Sequence, residues 1–320
     1  MDPWFINLDK PLPRSGGQIV LFRPLAQRDA MRPTSFEYHK AVDIEDAVRL
    51  LAEFGEEGRP IAGGQSLVPM MNLRLARPAH LVDINALAMT EIEFDAKAMR
   101  IGALVRHEVY ARNPEIGNRF PAFIDAVNWI GHPTIRRHGS IGGSISHADP
   151  TAELAAVSLL YDASIVIRSQ AGKRRVAAAD FFQSAYVTAL QPGELVVAVD
   201  FQIPPPSSSG SFIEIGERRG DFATASVGVH LEFDGATITR AAVVCCGASQ
   251  VAIRAPSIEA LLVGKTLDAP QAAEAGRRFA AMVEPSSDHI ASAGYKRALI
   301  GELTRRAVET ACAKARKRDD

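Results

Sequence analysis

Two pairs of adjacent glycines, Gly63-Gly64 and Gly142-Gly143, each stand between an extended stretch and a helical one. A residue without a Cβ reaches backbone conformations closed to others and lets the main chain approach another group closely. Neighbouring glycines also turn successive N–H groups toward one point, which makes a concavity for an anion. Around them, Ala62-Gly63-Gly64-Gln65-Ser66-Leu67 and Ser140-Ile141-Gly142-Gly143-Ser144 add the hydroxyls of Ser66, Ser140 and Ser144. Two such turns brought together would hold a diphosphate without a lysine and leave room for a flat apolar ring system. Taken singly, each reads more simply as a tight turn.

The rest of the chain divides around these turns. Residues 1–32 are rich in Pro, Gly and Arg and show no period. They are expected to be a loosely ordered extension or one that packs on a partner. Asp43 is placed to cap a helix whose apolar face is Ala47, Val48, Leu51 and Phe54 and which Gly55 and Gly58 end. Pro60-Ile61-Ala62 and Leu81-Val82-Asp83-Ile84 read as buried strands, and Ile92-Glu93-Phe94 with Met99-Arg100-Ile101 as a hairpin. Phe123 to Trp129 reads as helix, and Asp149-Pro150 as the cap and first residue of the next. Strands follow at Ser164–Arg168 and Leu195–Ile203.

Pro204-Pro205-Pro206-Ser207-Ser208-Ser209-Gly210 is a linker in composition, stiff at its prolines and loose at its Ser/Gly end. Beyond it, Ala225–Phe233 and Ala236–Val244 flank Asp234-Gly235, a hairpin signal. Ser257 is placed to cap a helix ending near Gly264, and helices are expected over Pro270–Val283 and Ser292–Arg316. The terminal Lys314, Arg316, Lys317 and Arg318 suit the dipole of the last helix or a basic docking patch. The expected division is an extension (1–32), a mixed domain (33–206) and a smaller α+β domain (207–320) with a small antiparallel sheet followed by helices.

Several function classes lose support. With 36 basic against 37 acidic residues, net −1, no nucleic-acid surface is indicated. Cys245, Cys246 and Cys312 have neither the number nor the spacing for a zinc ribbon or an Fe–S site, and they read as buried free thiols. Few cysteines, no apolar span and no signal-peptide pattern point to a cytoplasmic protein without a membrane span. There is no G-x-G-x-x-G. Gly264-Lys265-Thr266 lacks the P-loop glycine, because that position is Glu259. His107-Glu108 lacks the second histidine of a zinc-protease motif, and no G-x-S-x-G elbow occurs.

The flanks of the glycine turns are more specific than the turns. Ala62-Gly63-Gly64-Gln65-Ser66-Leu67-Val68-Pro69, with Leu73-Arg74-Leu75 and Leu81-Val82-Asp83-Ile84 behind it, resembles the first FAD-binding segment of the molybdenum-hydroxylase flavoproteins. These are the medium subunits of aerobic carbon monoxide dehydrogenase and its relatives, and the flavin domain of xanthine dehydrogenase. The stretch from Ile135 through Ser140-Ile141-Gly142-Gly143-Ser144 to His147-Ala148-Asp149-Pro150 resembles the second segment, and Arg218-Arg219-Gly220-Asp221-Phe222-Ala223 a third, in the family's order. The resemblance runs over roughly residues 33–315.

It implies a vanillyl-alcohol-oxidase (PCMH)-type FAD-binding domain covered by the smaller C-terminal domain. It further implies non-covalent FAD, and an electron-transfer role beside a large molybdenum-cofactor subunit and a small subunit with two [2Fe–2S] clusters, as a dimer of heterotrimers. By position, Ala62, Gly63, Gly64, Gln65, Ser66 and Leu67 would wrap the pyrophosphate, with Leu67 near the isoalloxazine. Ser140, Gly142, Gly143 and Ser144 would form the second phosphate loop, and Glu153 would stand near the adenosine ribose. His147 would contact the flavin or satisfy the loop backbone. Leu190 would pack by the flavin or in the core, and Phe222 would stand beside the ring where some relatives have Tyr. No nucleophile–base pair is evident in these loops. A free-standing FAD oxidoreductase of the same fold, or a binding module that has lost FAD, would keep the same fold.

Overall fold

A computed structural model describes residues 31–266 and 269–319; most of the N-terminal extension read from the sequence lies outside the described residues. The chain opens with three short parallel strands, β1 (Glu37–Lys40), β2 (Gly58–Ile61) and β3 (His80–Asp83), ordered β1-β3-β2. The helix Ile44–Phe54 connects β1 to β2. Asp43 caps it as expected, its carboxylate accepting from the Asp46 amide at 2.7 Å, a contact worth about 1 kcal/mol. Ala47, Val48 and Leu51 bury the predicted face.

A five-stranded antiparallel sheet follows. Its strands are β4 (Ile92–Phe94), β5 (Ala98–Gly102), β6 (Ser164–Ser169), β7 (Gly172–Ala177) and β10 (Leu195–Gln202), ordered β4-β5-β10-β6-β7. A minor ribbon, β8 (Phe182–Ser184) with β9 (Val187–Thr188), precedes β10. The expected hairpin is present, with Phe94 opposite Met99 and Ile92 opposite Ile101. Between β5 and β6 lie the helices Pro121–Val127, Pro133–His138, Ile141–His147 and Glu153–Leu160, which carry the second glycine turn.

The C-terminal part is an antiparallel sheet of β11 (Ser208–Ile215), β12 (Ala225–Asp234), β13 (Thr237–Cys246) and β14 (Ile253–Arg254). The helices Pro256–Leu262, Ala269–Met282 and Ala293–Asp319 follow. Both faces of this sheet are buried. Val243 and Cys245 join the core formed with the C-terminal helices, while Val244 and Cys246 join the core of the first part. That explains a continuous apolar run, Ala241 to Cys246, in an antiparallel strand, where one-sided burial would alternate. It also sends the two thiols to opposite faces, and all three cysteines are free and buried.

Three local expectations are corrected. The Ser/Gly end of the linker is not loose: β11 begins at Ser208, Ser209 Oγ donates to Ala311 O at 2.7 Å, and Ser208 to Phe212 are buried. Pairing with β12 overrides composition there. The helix after β14 starts at Pro256 behind Ala255, so proline at its first position, not Ser257, sets its start. Asp149 is not the residue that caps Glu153–Leu160; Ala152 holds that position. Asp149 Oδ1 instead accepts from the Thr151 amide (2.8 Å) and hydroxyl (2.6 Å), closing a turn ahead of the helix. Lys314, at the end of the last helix, donates to Asp125 Oδ2 at 2.6 Å and to Gly210 O, tying that helix to Pro121–Val127. Among the described residues no helix is long and apolar enough to cross a membrane.

Candidate cofactor-binding site

β2 runs straight into the first glycine turn. Gly64 has φ +69°, which a side chain disfavours, and the helix Leu67–Asn72 starts immediately after. Its first bonds run from Val68 N to Gly64 O and from Met70 N to Ser66 O. The amides of Gln65, Ser66 and Leu67 stand ahead of them, at a helix start where no carbonyl lies a turn earlier. Ser66 occupies the cap position without using its hydroxyl to cap, and is exposed.

The second turn opens the helix Ile141–His147, capped by Ser140, whose hydroxyl accepts from the Gly143 amide at 3.3 Å. Its other leading amides are engaged by the protein. Ile141 N donates to Val105 O, Gly142 N to Ala103 O and Ser144 N to Ser140 O. Of this turn's main chain, then, only the weakly held Gly143 amide faces outward. A Cβ on Gly143 would meet only Ser140 Oγ, whereas one on Gly142 would strike Ala103 at 2.5 Å. Gly142 packs the turn down, and Gly143 leaves its outer side open.

The turns touch. A Cβ on Gly63 would lie 1.9 Å from His138 O. Two residues outside any motif hold this contact. Asn85 Nδ2 donates to Ala62 O at 3.0 Å, and Arg106 donates to Asn85 Oδ1 at 2.6 Å and also to His138 O. Arg106 thereby clamps the first turn to the lead-in of the second. Nothing in the sequence marks it, since its partners stand 21 and 32 positions away.

Together the turns border one cavity of about 1230 Å³. Ala62, Gly63, Gly64, Gln65, Ser66 and Leu67 line it, with Ser140, Gly142, Gly143, Ser144, His147, Glu153, Leu190 and Phe222. All the residues singled out in the sequence are thus brought together. Phe222 is 72% exposed, at the mouth. Its loop turns at Gly220 (φ +92°) against Gly131, and the Arg219 guanidinium lies 5.7 Å from the Trp129 ring. Tyr186 is a lining residue the sequence did not mark: its ring lies 5.2 Å from that of His147, and its hydroxyl donates to Asp149 Oδ2 at 3.3 Å.

Burial changes the charge of several groups that line the cavity. Burial lowers the pKa of His147. His107, which also lines the cavity and shares a hydrogen bond with the Tyr110 hydroxyl, is pushed down to about 3 by burial and by Arg106 and Arg136. Both rings are neutral at pH 7. Burial pushes Glu153 up to about 7, with the nearby Asp149 adding to it. Glu214, on β11 behind Glu153, goes up to about 9 through burial and the Glu153 charge. It is 2% exposed, and neither carboxylate oxygen has a hydrogen-bond partner among the described residues.

Glu214 therefore makes stability pH-dependent. Its folded pKa lies above the ordinary 4.5, so the folded state keeps a proton that the unfolded chain gives up. Stability falls as pH rises from about 4.5 toward 9. Thermal melts of Glu214→Gln and the parent at pH 5 and pH 8 check this: the variant is expected to gain several degrees on the parent between the two.

The site fits FAD on three counts: a main-chain turn with outward amides, a second turn with no side chain in the way, and apolar walls deep enough for a ring system. Its volume exceeds the roughly 300–1,000 Å³ of ordinary ligand pockets, as a dinucleotide requires. This fold and cavity define an FAD-binding flavoprotein of the PCMH type. Residues 34–206 match the FAD-binding domain of molybdopterin dehydrogenases, and residues 211–311 match the CO dehydrogenase flavoprotein C-terminal domain. The chain belongs to the flavoprotein-subunit family of the molybdenum hydroxylases.

Among its relatives, the 6-hydroxypseudooxynicotine dehydrogenase complex subunit alpha of Paenarthrobacter nicotinovorans is 37% identical over 290 residues, 89% of this chain and 97% of that one. The carbon monoxide dehydrogenase medium chain of Afipia carboxidovorans is 34% identical over 89% of this chain and 100% of its own length. The fold superposes on Cu,Mo-CO dehydrogenase with a TM-score of 0.86 at 34% identity, covering 88% of this chain and 99% of that one. For quinoline 2-oxidoreductase of Pseudomonas putida 86 the TM-score is 0.85 at 31% identity, over 89% and 99%.

Proposed function

We propose that this chain is the electron-transfer subunit of a cytoplasmic three-component molybdenum hydroxylase. The observation that carries the reading is the contact between the two glycine turns, which makes one cavity of the residues the family pattern marks. FAD held there accepts electrons singly or in pairs. In this assignment the Gln65–Leu67 amides, the Gly143 amide and the Ser66 and Ser144 hydroxyls bind the diphosphate, and Glu153 holds the adenosine ribose. Leu190 and Phe222 flank the ring system. His147, kept neutral by burial, adds no cation beside it.

Electrons come from the [2Fe–2S] clusters of a small partner subunit, after substrate oxidation at the molybdenum cofactor of a large one. They leave for an external acceptor: NAD, oxygen, a quinone or another carrier. These 320 residues carry three cysteines, too few for even one four-cysteine cluster, which supports a reading in which the clusters sit on a partner subunit. In this reading residues 33–206 are the FAD-binding domain, 207–320 are the domain that covers it, and the assembly is a dimer of heterotrimers.

The isolated, flavin-loaded chain is expected to stay oxidised when mixed anaerobically with the organic substrate, and to bleach at the flavin absorption band only when both partner subunits are added. Bleaching by substrate without partners would instead establish a free-standing oxidoreductase. A colourless protein that cannot be loaded with FAD would establish a module that has lost it.

A further inference from the structure

We propose that Glu37, His39 and His80 form a binding site for one divalent transition-metal ion of the zinc class, which pins the edge strand β1 to β3. Glu37 and His39 lie two residues apart on β1, and Glu37 stands opposite His80 in the parallel register. Their donor atoms converge: His39 Nε2 is 3.1 Å from His80 Nδ1, and Glu37 Oε2 lies 3.8 Å from the first and 3.6 Å from the second. Among the described residues this is the one group of three potential ligands so gathered.

The size of this triangle is the argument. A point equidistant from its corners lies about 2.0 Å from each, the length of zinc bonds to imidazole nitrogen and carboxylate oxygen. An ion can enter without any donor moving. Two imidazoles and one carboxylate are also a donor set that first-row divalent ions prefer over calcium or magnesium, which take oxygen.

The rings are already held in place. Phe54 stacks on His80 with centroids 4.0 Å apart and planes 10° from parallel, and its ring lies 4.6 Å from that of His39. Both histidine side chains are about three-quarters buried, so little side-chain freedom is lost on binding. The equidistant point lies in the plane of the three donors; a small shift of the exposed Glu37 carboxylate lets the ion rise from the plane into tetrahedral coordination, with water as the fourth ligand.

The role that follows is structural. His80 pairs in register with Gly58 at the start of β2, whereas the flavin turn leaves the opposite end of β2, beyond Ile61. The ion would brace β1, the edge strand with which the described fold opens.

The test uses the full flavin-loaded chain, stripped with a chelator and then dialysed against micromolar zinc, with bound metal counted by mass spectrometry. One zinc per chain is expected, together with a raised melting temperature. Glu37→Gln changes an exposed side chain and is expected to weaken zinc binding by at least about tenfold, while His39→Ala with His80→Ala abolishes it, at unchanged flavin content. Zinc well below one per chain in the parent overturns the site. Unchanged affinity in Glu37→Gln overturns the three-ligand assignment even if the double-histidine variant fails to fold. Equal binding of magnesium would reduce the cluster to a non-selective surface charge.

Discussion

Gly143→Asp is expected to give a folded protein that no longer holds flavin. Gly143 is exposed to the cavity, and a side chain there would meet only the Ser140 hydroxyl at 3.1 Å, so the carboxylate has room. It also sits in the first turn of Ile141–His147, where a negative charge suits the helix dipole and does not unfold it. What the charge opposes is the diphosphate. Two unit charges about 4 Å apart near a protein surface repel by about 4 kcal/mol, roughly a thousandfold in affinity. The ratio of flavin to protein absorbance in the purified variant reads this directly, and a melt shows that folding is intact. Gly143→Ala, which adds bulk without charge, should lose far less. If Gly143→Asp came out stoichiometrically yellow, the second turn could not be at the phosphates.

Gly63→Ala should fail for a different reason. The added methyl would lie 1.9 Å from His138 O and 2.5 Å from His138 C, and both are backbone atoms that cannot rotate away. The turns would have to separate by about an ångström, breaking the clamp Arg106 makes with His138 O and Asn85. Overpacking of this kind costs about 1–3 kcal/mol, and the cavity loses its floor as well. The variant should melt several degrees lower and purify with little flavin. A yellow variant with the parent's melting temperature would mean the turns are not packed as described. The two glycines thus separate two jobs: one joins the turns, and the other leaves space for what they hold.

Much of this was legible in sequence because it was local. Asp43 caps its helix through its own carboxylate three residues ahead, and Asp234-Gly235 turns one strand into the next, so near neighbours carry the whole signal. The glycine turns were legible as turns, and their flanks as a family pattern. Which amides they have free was not legible. Ile141 and Gly142 give theirs to Val105 and Ala103, acceptors far back in the chain, so the second turn offers less main chain than its glycines suggest. Distance also hid Arg106 and Asn85. Asp149 misled because aspartate before proline signals a cap, while Thr151 beside it supplied two better donors. Ser208 to Gly210 misled because composition reports what a segment prefers alone, and β12 supplied it with a partner. Glu214 shows the limit: nothing local in the sequence signals that a carboxyl on this strand will be buried near Glu153, some sixty positions back in the chain.

The engagement of the second turn by the protein's own carbonyls bears on where the shape of the receptacle is specified. Ala103, Val105, Asn85 and Arg106 hold the two turns through hydrogen bonds that are all internal to the chain. Its contour is therefore inherited from residues remote from the glycines, and a change at Asn85 or Arg106 would reshape the mould without altering either turn.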